Sequence, residues 1–266
     1  MSILENNEKL SSAMADIAEV AGYLWTKGWA ERNGGNISVN VTEFITPGAI
    51  TPLSTVTLPR RFPALGGDAF YVTGTGKRMR DVAKAPLQHG AIIRLHPDAG
   101  AYDIIADRII APTSELPSHL AIHDFARAGG AKVVCHTHPT DLIALTHRRE
   151  FLQPRVLGRM LWSMIPEARI VVPRGVGIVP YHLPGSLELA DATIAALDSH
   201  DVVMWEKHGC LAVGADIIDT FDMIDTLSKA AQIYLSARLA GFEPEGMSND
   251  ELEEIRRVFN LLPEGN

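Results

Sequence analysis

Two histidines one residue apart end an apolar run in the segment AKVVCHTHP. If this segment is a strand, its side chains alternate between two faces, so His136 and His138 share one face while Cys135 and Thr137 point to the other. Pro139 cannot continue the backbone hydrogen bonds, which places the pair at the strand end. Two imidazoles on one face suit a single metal ion. Because surface histidine pairs are common, the spacing alone slightly favours two ordinary histidines.

A third candidate metal ligand is His208, which stands where an apolar run meets glycine in MWEKHGCLAVG. Catalytic zinc usually takes three protein ligands and keeps one position for water or substrate. On a regular strand Cys210 would share a face with His208 and could close the site. Gly209 between them permits a bend, so a packing role for Cys210 is favoured. His119 and His123, four residues apart in a predicted helix, form a rival pair.

Two glutamates are candidates for proton transfer. Glu115, in APTSELPSH, would lie in the first turn of a helix, where the helix dipole favours an anion. Glu167, in SMIPEARIVV, would lie in a loop before a strand. By pattern alone, the first is a helix-start charge and the second a surface residue.

Neutral groups that could surround a phosphate occur in the segments RNGGN, TGTGK and APTSE. They are Asn33, Gly35, Asn36, Thr75, Thr113 and Ser114. By pattern alone, turns and a helix cap explain these residues better than a ligand site. Lys77 does not complete a phosphate-loop motif, since Arg78 follows it where Ser or Thr is needed.

Helices and strands must position these residues, and their predicted order is mixed. Helical apolar spacing covers residues 8–28, 186–199 and 216–239, and a further helix, capped by Thr113 or Ser114, covers TSELPSHLAIHDFARAGG. Residues 140–161 hold one or two more helices. Predicted strands are NISVNV, DAFYVTG, the pair AIIRLHP and AYDIIAD, AKVVCHTH, ARIVVPRGVGIVPY and a hairpin in DVVMWEKHGCLAVG. Several successive strands lack an intervening helix, which favours a mixed sheet flanked by helices.

The composition narrows the classes of function. The chain has 266 residues, 46% of them hydrophobic and 21% charged, and a net charge of −8, which argues against nucleic acid or an anionic membrane as a partner. No apolar stretch approaches the ~20 residues that span a bilayer. Glu5 and Glu8 stand where a signal peptide needs a basic start, and two cysteines fit a reducing compartment. We therefore expect a cytoplasmic location. The Pro- and Gly-rich stretch 42–68 is predicted to be a long surface excursion rather than a domain linker.

Six segments occur in the order found in class II, metal-dependent sugar-phosphate aldolases, and the chain resembles that family. They are KGWAERNGGNISV, TGTGKRMRD, APTSELPSHL, HTHPTDLIALTH, IPEARIVVPRGVGIVPY and HGCLAVG. The resemblance implies one α/β domain over residues 1–266, with a central, mostly antiparallel or mixed sheet, helices on both faces and assembly as a homotetramer. The implied reaction is the zinc-dependent retro-aldol cleavage of L-rhamnulose 1-phosphate to dihydroxyacetone phosphate and L-lactaldehyde.

The resemblance also implies roles for residues at matching positions. His136, His138 and His208 would hold Zn²⁺ or another divalent transition metal, which can stabilise the enediolate left by carbon–carbon cleavage. Glu115 would exchange the proton next to the carbonyl, and Glu167 would handle the aldehyde-side oxygen in a neighbouring subunit's site. The six neutral groups named above would bind the phosphate.

Two other hypotheses use the same residues. One is an epimerase or dehydratase that acts on another phosphorylated ketose with the same metal site. The other is a non-catalytic protein in which Cys210 completes a closed, structural zinc site with the three histidines. Lactaldehyde formation would exclude the first. For the second, Cys210 is the discriminator: loss of zinc and unfolding in Cys210→Ala would show that the open catalytic site is wrong.

Overall fold

Nine strands form one sheet in the computed structural model, which describes residues 7–46 and 51–262. In chain order they are β1 (Asn36–Asn40), β2 (Ser54–Thr57), β3 (Ala69–Thr73), β4 (Gly90–Leu95), β5 (Ala101–Ile104), β6 (Val133–Thr137), β7 (Val176–Val179), β8 (Val202–Trp205) and β9 (Gly209–Gly214). Their spatial order is β2-β5-β4-β3-β1-β6-β9-β8-β7. β7 and β8 pair in parallel, and the other neighbours pair antiparallel. The predicted mixed, mostly antiparallel sheet is confirmed.

Helices connect and cover the strands. Within the described residues they are α1 (Glu8–Thr26), α2 (Met79–Val82), α3 (Pro86–His89), α4 (Leu116–Ala126), α5 (Thr140–Leu145), α6 (Pro154–Met164), α7 (Pro166–Val171), α8 (Leu187–Leu197), α9 (Ile217–Leu239) and α10 (Asn249–Val258). Among the helices of these residues, none is long and apolar enough to cross a bilayer. The helices predicted near residues 8–28, 186–199 and 216–239 are confirmed, each within a few residues of its bounds.

Both faces of the sheet are buried, because alternate residues of β6 pack against different helices. Val134 lies in an apolar cluster with Ile122 of α4 and Leu197 of α8. Its neighbours Val133 and Cys135 lie in the larger cluster on the other face, which includes the buried side of α9. Fully burying an aliphatic side chain stabilises the fold by about 1.5–3 kcal/mol. The chain is thus a single domain with helices on both faces of its sheet.

One predicted strand is wrong in its first half. In the segment ARIVV, residues 168–171 belong to helix α7 and Val172 is its C-cap, while β7 begins only at Val176. The β-branched residues of the segment favour a strand locally, but Pro166 in the first turn suits a helix start. The guanidinium of Arg169 stacks over the Trp162 ring of α6 at 4.1 Å, and Ala168 is fully buried. Packing against α6 therefore decides the conformation.

The Pro- and Gly-rich stretch 42–68 is part of the domain. It supplies β2, which pairs with β5 at the edge of the sheet, so it is no linker between domains. Residues 47–50 of this stretch, and Glu5 of the N-terminal segment discussed above, lie outside the described residues.

The antiparallel order at the centre of the sheet brings several chain segments together at one end of the strands, which is called this edge of the sheet below. β3, β1, β6 and β9 are neighbours, and their directions alternate. The end of β3, the start of β1, the end of β6 and the start of β9 therefore all lie at the same end of the sheet. Asn36 is directly opposite His136, and Thr137 is opposite Cys210. The loops that leave this edge carry the candidate site.

Candidate functional site

Three histidines converge at this edge of the sheet. His136 lies near the end of β6, His138 follows the strand, and His208 lies in the turn between β8 and β9. The ring centroids are 5.0 to 5.4 Å apart, and one nitrogen of each ring lies within 4.8 Å of the others. The structure therefore brings the three predicted metal ligands together from distant parts of the chain.

The hydrogen bonds of two imidazoles fix which nitrogen carries the proton. His136 Nδ1 lies 2.9 Å from the Cys210 carbonyl oxygen, and His138 Nδ1 lies 2.8 Å from Oε1 of Glu31. Since both partners accept, both Nδ1 atoms donate, and each neutral ring keeps a lone pair on Nε2. The two Nε2 atoms face each other at 3.2 Å. Two lone pairs at that distance call for a cation between them, so the donor set fits a metal ion.

A further nitrogen in the cluster is unsatisfied, and burial keeps two of the rings neutral. Nδ1 of His208 is buried and has no hydrogen-bond partner among the described residues. Burial lowers the pKa of His208 to about 4, with a smaller contribution from a charge on His138. Burial, followed by charges on the other two rings, lowers the pKa of His136 well below its ordinary value. Neutral imidazole is the form that binds metals.

Two glycines make room for the rings. A Cβ atom on Gly209 would lie 2.7 Å from Cε1 of His136 and 2.9 Å from Cδ2 of His138, closer than carbon atoms approach. Gly35 has a left-handed φ of 73°, and a Cβ there would lie 2.9 Å from the His136 carbonyl oxygen. Side chains at either position would displace the histidines.

Cys210 supports the site through its backbone and not through its thiol. Strand β9 begins at Gly209, so His208 lies in the preceding turn, and the two side chains do not share a strand face. The thiol is buried in the apolar core, and burial raises its pKa far above the ordinary value. The ligand group found among the described residues contains the three histidines without this thiol. The geometry does not support a closed His/Cys zinc site.

Glu115 lies one residue before helix α4 and not within its first turn. Glu115, and not the predicted Thr113 or Ser114, occupies the N-cap position, and its side chain makes no capping bond. The Thr113 hydroxyl accepts the N–H of Glu115 at 3.4 Å. Oε2 of Glu115 accepts a hydrogen bond of 2.8 Å from the side-chain amide of Asn36. Burial raises the pKa of this carboxyl, and the Asn36 bond and a charge on His138 lower it in part. The carboxylate is free of a helix-capping role and available for proton transfer.

The histidines and Glu115 share a small polar cavity of about 130 Å³ with the predicted phosphate-binding groups. The other lining residues are Asn33, Gly34, Gly35, Asn36, Thr73, Gly74, Thr75, Gly76, Thr113 and Ser114. Neither lysine nor arginine occurs among these described lining residues, so the available donors are neutral. A larger depression of about 980 Å³ lies around Trp162 and Tyr234, away from the three histidines.

Backbone hydrogen bonds determine which polar groups of Thr75 and Thr113 can bind a ligand. The N–H of Thr75 donates to Ala111, and the N–H of Thr113 donates to the carbonyl of Thr73. A ligand is therefore left with their hydroxyls and not their amides. The Thr113 hydroxyl oxygen accepts the N–H of Glu115, and its proton remains to be donated. A bridge between Gly74 and Pro112 holds the two loops side by side.

Glu167 is the one predicted site residue that does not join the others. It is exposed in the first turn of α7 and is not among the described residues that line the cavity. The sequence interpretation, for its part, missed Glu31 as the partner of His138. No periodicity marks Glu31, since the contact depends on a loop that folds back over the strand end.

Comparison with known proteins identifies the family of the chain. Residues 15–235 match the sequence model of the family described as "Class II Aldolase and Adducin N-terminal domain". The chain belongs to this family. A protein of Bacteroides thetaiotaomicron named "Rhamnulose-1-phosphate aldolase" is 52% identical over 265 residues, which cover 98% of each chain. A protein of Mannheimia succiniciproducens with the same name is 35% identical over 250 residues, or 90% of this chain and 91% of that one.

The fold also matches solved structures of the family. The crystal structure of a sugar-phosphate aldolase from Thermotoga maritima superposes with a TM-score of 0.78 at 32% identity, over 89% of this chain and 99% of that one. An L-fuculose 1-phosphate aldolase superposes with a TM-score of 0.62 at 18% identity, which shows the fold alone. The expectation of a class II aldolase fold is confirmed.

Proposed function

We propose that this protein is a metal-dependent aldolase that cleaves L-rhamnulose 1-phosphate into dihydroxyacetone phosphate and L-lactaldehyde. The observation that carries the proposal is the convergence of three imidazoles and the partly buried Glu115 carboxylate in one cavity lined by neutral donors. Family membership and the names of the most similar relatives support it.

We propose zinc as the metal and His136, His138 and His208 as its ligands. When bound, a divalent cation supplies the positive charge that stabilises negative charge developing on substrate oxygens. Because the three ligands are neutral, that charge is not reduced by them. The Cys210 carbonyl and the Glu31 carboxylate hold two of the rings by their Nδ1 protons.

We assign the phosphate to the neutral groups Asn33, Gly35, Asn36, Thr75, Thr113 and Ser114. Cleavage breaks the bond between C3 and C4 of the ketose. The C4 hydroxyl gives its proton to a base on the aldehyde side, the role proposed for Glu167, and becomes the aldehyde. C3 gains a proton and becomes part of dihydroxyacetone phosphate. Glu115 is the proposed donor of the C3 proton, and in the reverse direction it removes that proton. Its burial and raised pKa suit a group that must both hold and release a proton.

Glu167 is proposed to act on the aldehyde-side oxygen of a neighbouring subunit's site in a homotetramer. Its exposed position at the start of α7, outside the cavity of its own chain, is compatible with that role. Mixed assemblies of Glu115→Gln and Glu167→Ala subunits are expected to recover cleavage that neither variant shows alone. Failure to recover, with tetramers verified by light scattering, would exclude a shared site.

The decisive experiment is an assay of the purified protein on several ketose 1-phosphates, with and without chelator. We expect L-lactaldehyde from L-rhamnulose 1-phosphate, loss of the activity on chelation and recovery with zinc. A product with unchanged carbon number would instead indicate an epimerase or dehydratase. The proposed single domain over residues 1–266 and the cytoplasmic location can be tested by limited proteolysis and cell fractionation.

A further inference from the structure

The rival histidine pair of α4 lies beside the site and belongs to a different structure. His119 and His123 are 1% and 2% exposed and point from the helix toward β1. Residues four apart on a helix are about 6 Å apart along its axis, and residues two apart on a strand are about 6.6 Å apart. The spacing of the two histidines along α4 therefore matches the spacing of Asn36 and Ser38, which lie on the face of β1 toward α4.

A chain of hydrogen bonds connects this pair to the catalytic carboxylate. The hydroxyl of Ser38 lies 2.8 Å from Nε2 of His123 and 2.7 Å from Nδ1 of His119. Nε2 of His119 bonds to the side-chain oxygen of Asn36, whose amide nitrogen lies 2.8 Å from Oε2 of Glu115. The three residues between His123 and Glu115 each use both of their polar sides within the chain of bonds, so that only the second N–H of the Asn36 amide is left for a ligand.

The direction of every bond follows from the carboxylate. An ionised carboxylate only accepts, so Asn36 must turn its amide N–H toward Glu115 and its oxygen toward His119. His119 must then carry its proton on Nε2, and its Nδ1 accepts from the hydroxyl of Ser38. Ser38 in turn accepts from His123. If the direction of one hydrogen bond were reversed, the next bond in the chain would join two acceptors or two donors.

Burial stabilises this arrangement of donors and acceptors. It lowers the pKa of both His119 and His123 to about 3, so each ring stays neutral and has a single N–H to donate. The Phe70 ring packs on His123 with the ring centroids 4.7 Å apart, which covers the far end of the chain of bonds.

We propose that His119 is a positioning residue for Glu115. It holds the Asn36 amide in the one orientation that donates to the carboxylate, while Ser38 and His123 fix the tautomer of His119. This inference rests on the proposed function, because it gives His119 a role in the proton transfer assigned to Glu115. A purely structural pair would stabilise α4 against β1 without affecting that transfer.

A matched pair of variants separates the two roles. The side chain of His119→Gln keeps an N–H donor at the distance of Nε2, and His119→Met has similar length without a donor. Leu120→Ala is the control for lost packing, since Leu120 is buried on the same helix outside the chain of bonds. For each protein we would measure bound zinc, melting temperature, kcat and KM for cleavage, and exchange of the C3 proton of dihydroxyacetone phosphate with deuterium.

We expect His119→Met to lose about 10- to 100-fold in kcat and in proton exchange while it keeps its zinc, because a small displacement of a catalytic group has effects of this size. His119→Gln should recover most of that loss, and Leu120→Ala should melt earlier with near-normal exchange. Equal rates for the Gln and Met variants, or an equal loss in Leu120→Ala, would overturn the positioning role.

A second measurement separates this inference from the proposed function. ¹⁵N spectra of histidine-labelled protein report the tautomer of His119 without any turnover, and we expect the proton on Nε2. A proton on Nδ1 would overturn the inference even in an active aldolase. If the wild type shows the Nε2 tautomer but cleaves no ketose 1-phosphate, the proposed function has failed, and the catalytic role of His119 fails with it.

Discussion

Two groups of histidines lie close together in this protein, and they differ in how their nitrogens are satisfied. In the pair His136 and His138, hydrogen bonds hold Nδ1 and leave both Nε2 lone pairs facing each other at 3.2 Å. In the pair His119 and His123, the nitrogens meet the alternating donors and acceptors of Ser38 and Asn36. The spacing of His119 and His123 is helical, and that of His136 and His138 is strand-like, but spacing alone does not distinguish a metal site from a buried polar network. Lone pairs without a hydrogen-bond donor distinguish the metal site.

The largest expected effect is the loss of metal when a histidine of the metal-binding group is replaced by glutamine, compared with the same replacement in the buried pair. We expect His208→Gln to lose bound metal and cleavage to background, because two imidazoles and one weak amide ligand remain. His119→Gln should keep its metal, since it lies outside the ligand group. Metal analysis of the dialysed proteins and a cleavage assay measure both. Equal metal content in the two variants would remove the distinction between the groups.

A large effect is also expected at the carboxylate that connects the two groups. Glu115→Gln should keep fold and metal but lose about 10² to 10⁴-fold in kcat, the usual contribution of a general acid or base. Exchange of the C3 proton of dihydroxyacetone phosphate should fall in parallel. A variant with normal proton exchange would show that another group transfers this proton.

A smaller effect is expected at the partner of His138. Glu31→Gln replaces an acceptor carboxylate by an amide, and it should weaken metal binding about 10- to 100-fold, as losses of such supporting carboxylates do. Competition with a metal-binding dye measures the affinity. Glu43→Gln is a control, because Glu43 is an exposed carboxylate paired with Lys132 away from the cavity. Equal affinity in wild type and Glu31→Gln would argue against an orienting role for Glu31.

The smallest effect is the part of the pH dependence of stability that the buried pair His119 and His123 contributes. The folded pKa of His119 and His123 is about 3, below the ordinary 6.5, so the unfolded chain binds protons that the folded one refuses. Their contribution is complete above pH 6.5 and is lost as the pH falls toward 3, by about 2 kcal/mol for each histidine at pH 5. Urea unfolding of wild type and of the double variant His119→Gln/His123→Gln at pH 7 and pH 5 tests this. A parallel decrease in both proteins would contradict it.

Much of the fold could be predicted from sequence because its signals are local. Apolar spacing in α1 and α9, the apolar run of β6 and the short hairpin between β8 and β9 arise from neighbouring residues. The exceptions are places where a distant contact overrides a local preference. Residues 168–171 of ARIVV are helical because Arg169 packs on Trp162. Glu115 lies before α4 and not in its first turn, and there it accepts a hydrogen bond from Asn36.

The sequence by itself determined which residue types were available: three histidines at strand ends and turns, a glutamate before a helix, and glycines in the loops. Only the tertiary structure decided their partners. The antiparallel order of β3, β1, β6 and β9 brings their loops to one edge, and a Cβ atom at Gly209 would exclude the rings gathered there. The physical reason is that ligation and proton transfer depend on distances of about 3 Å between atoms far apart in the chain, and no local pattern encodes such distances.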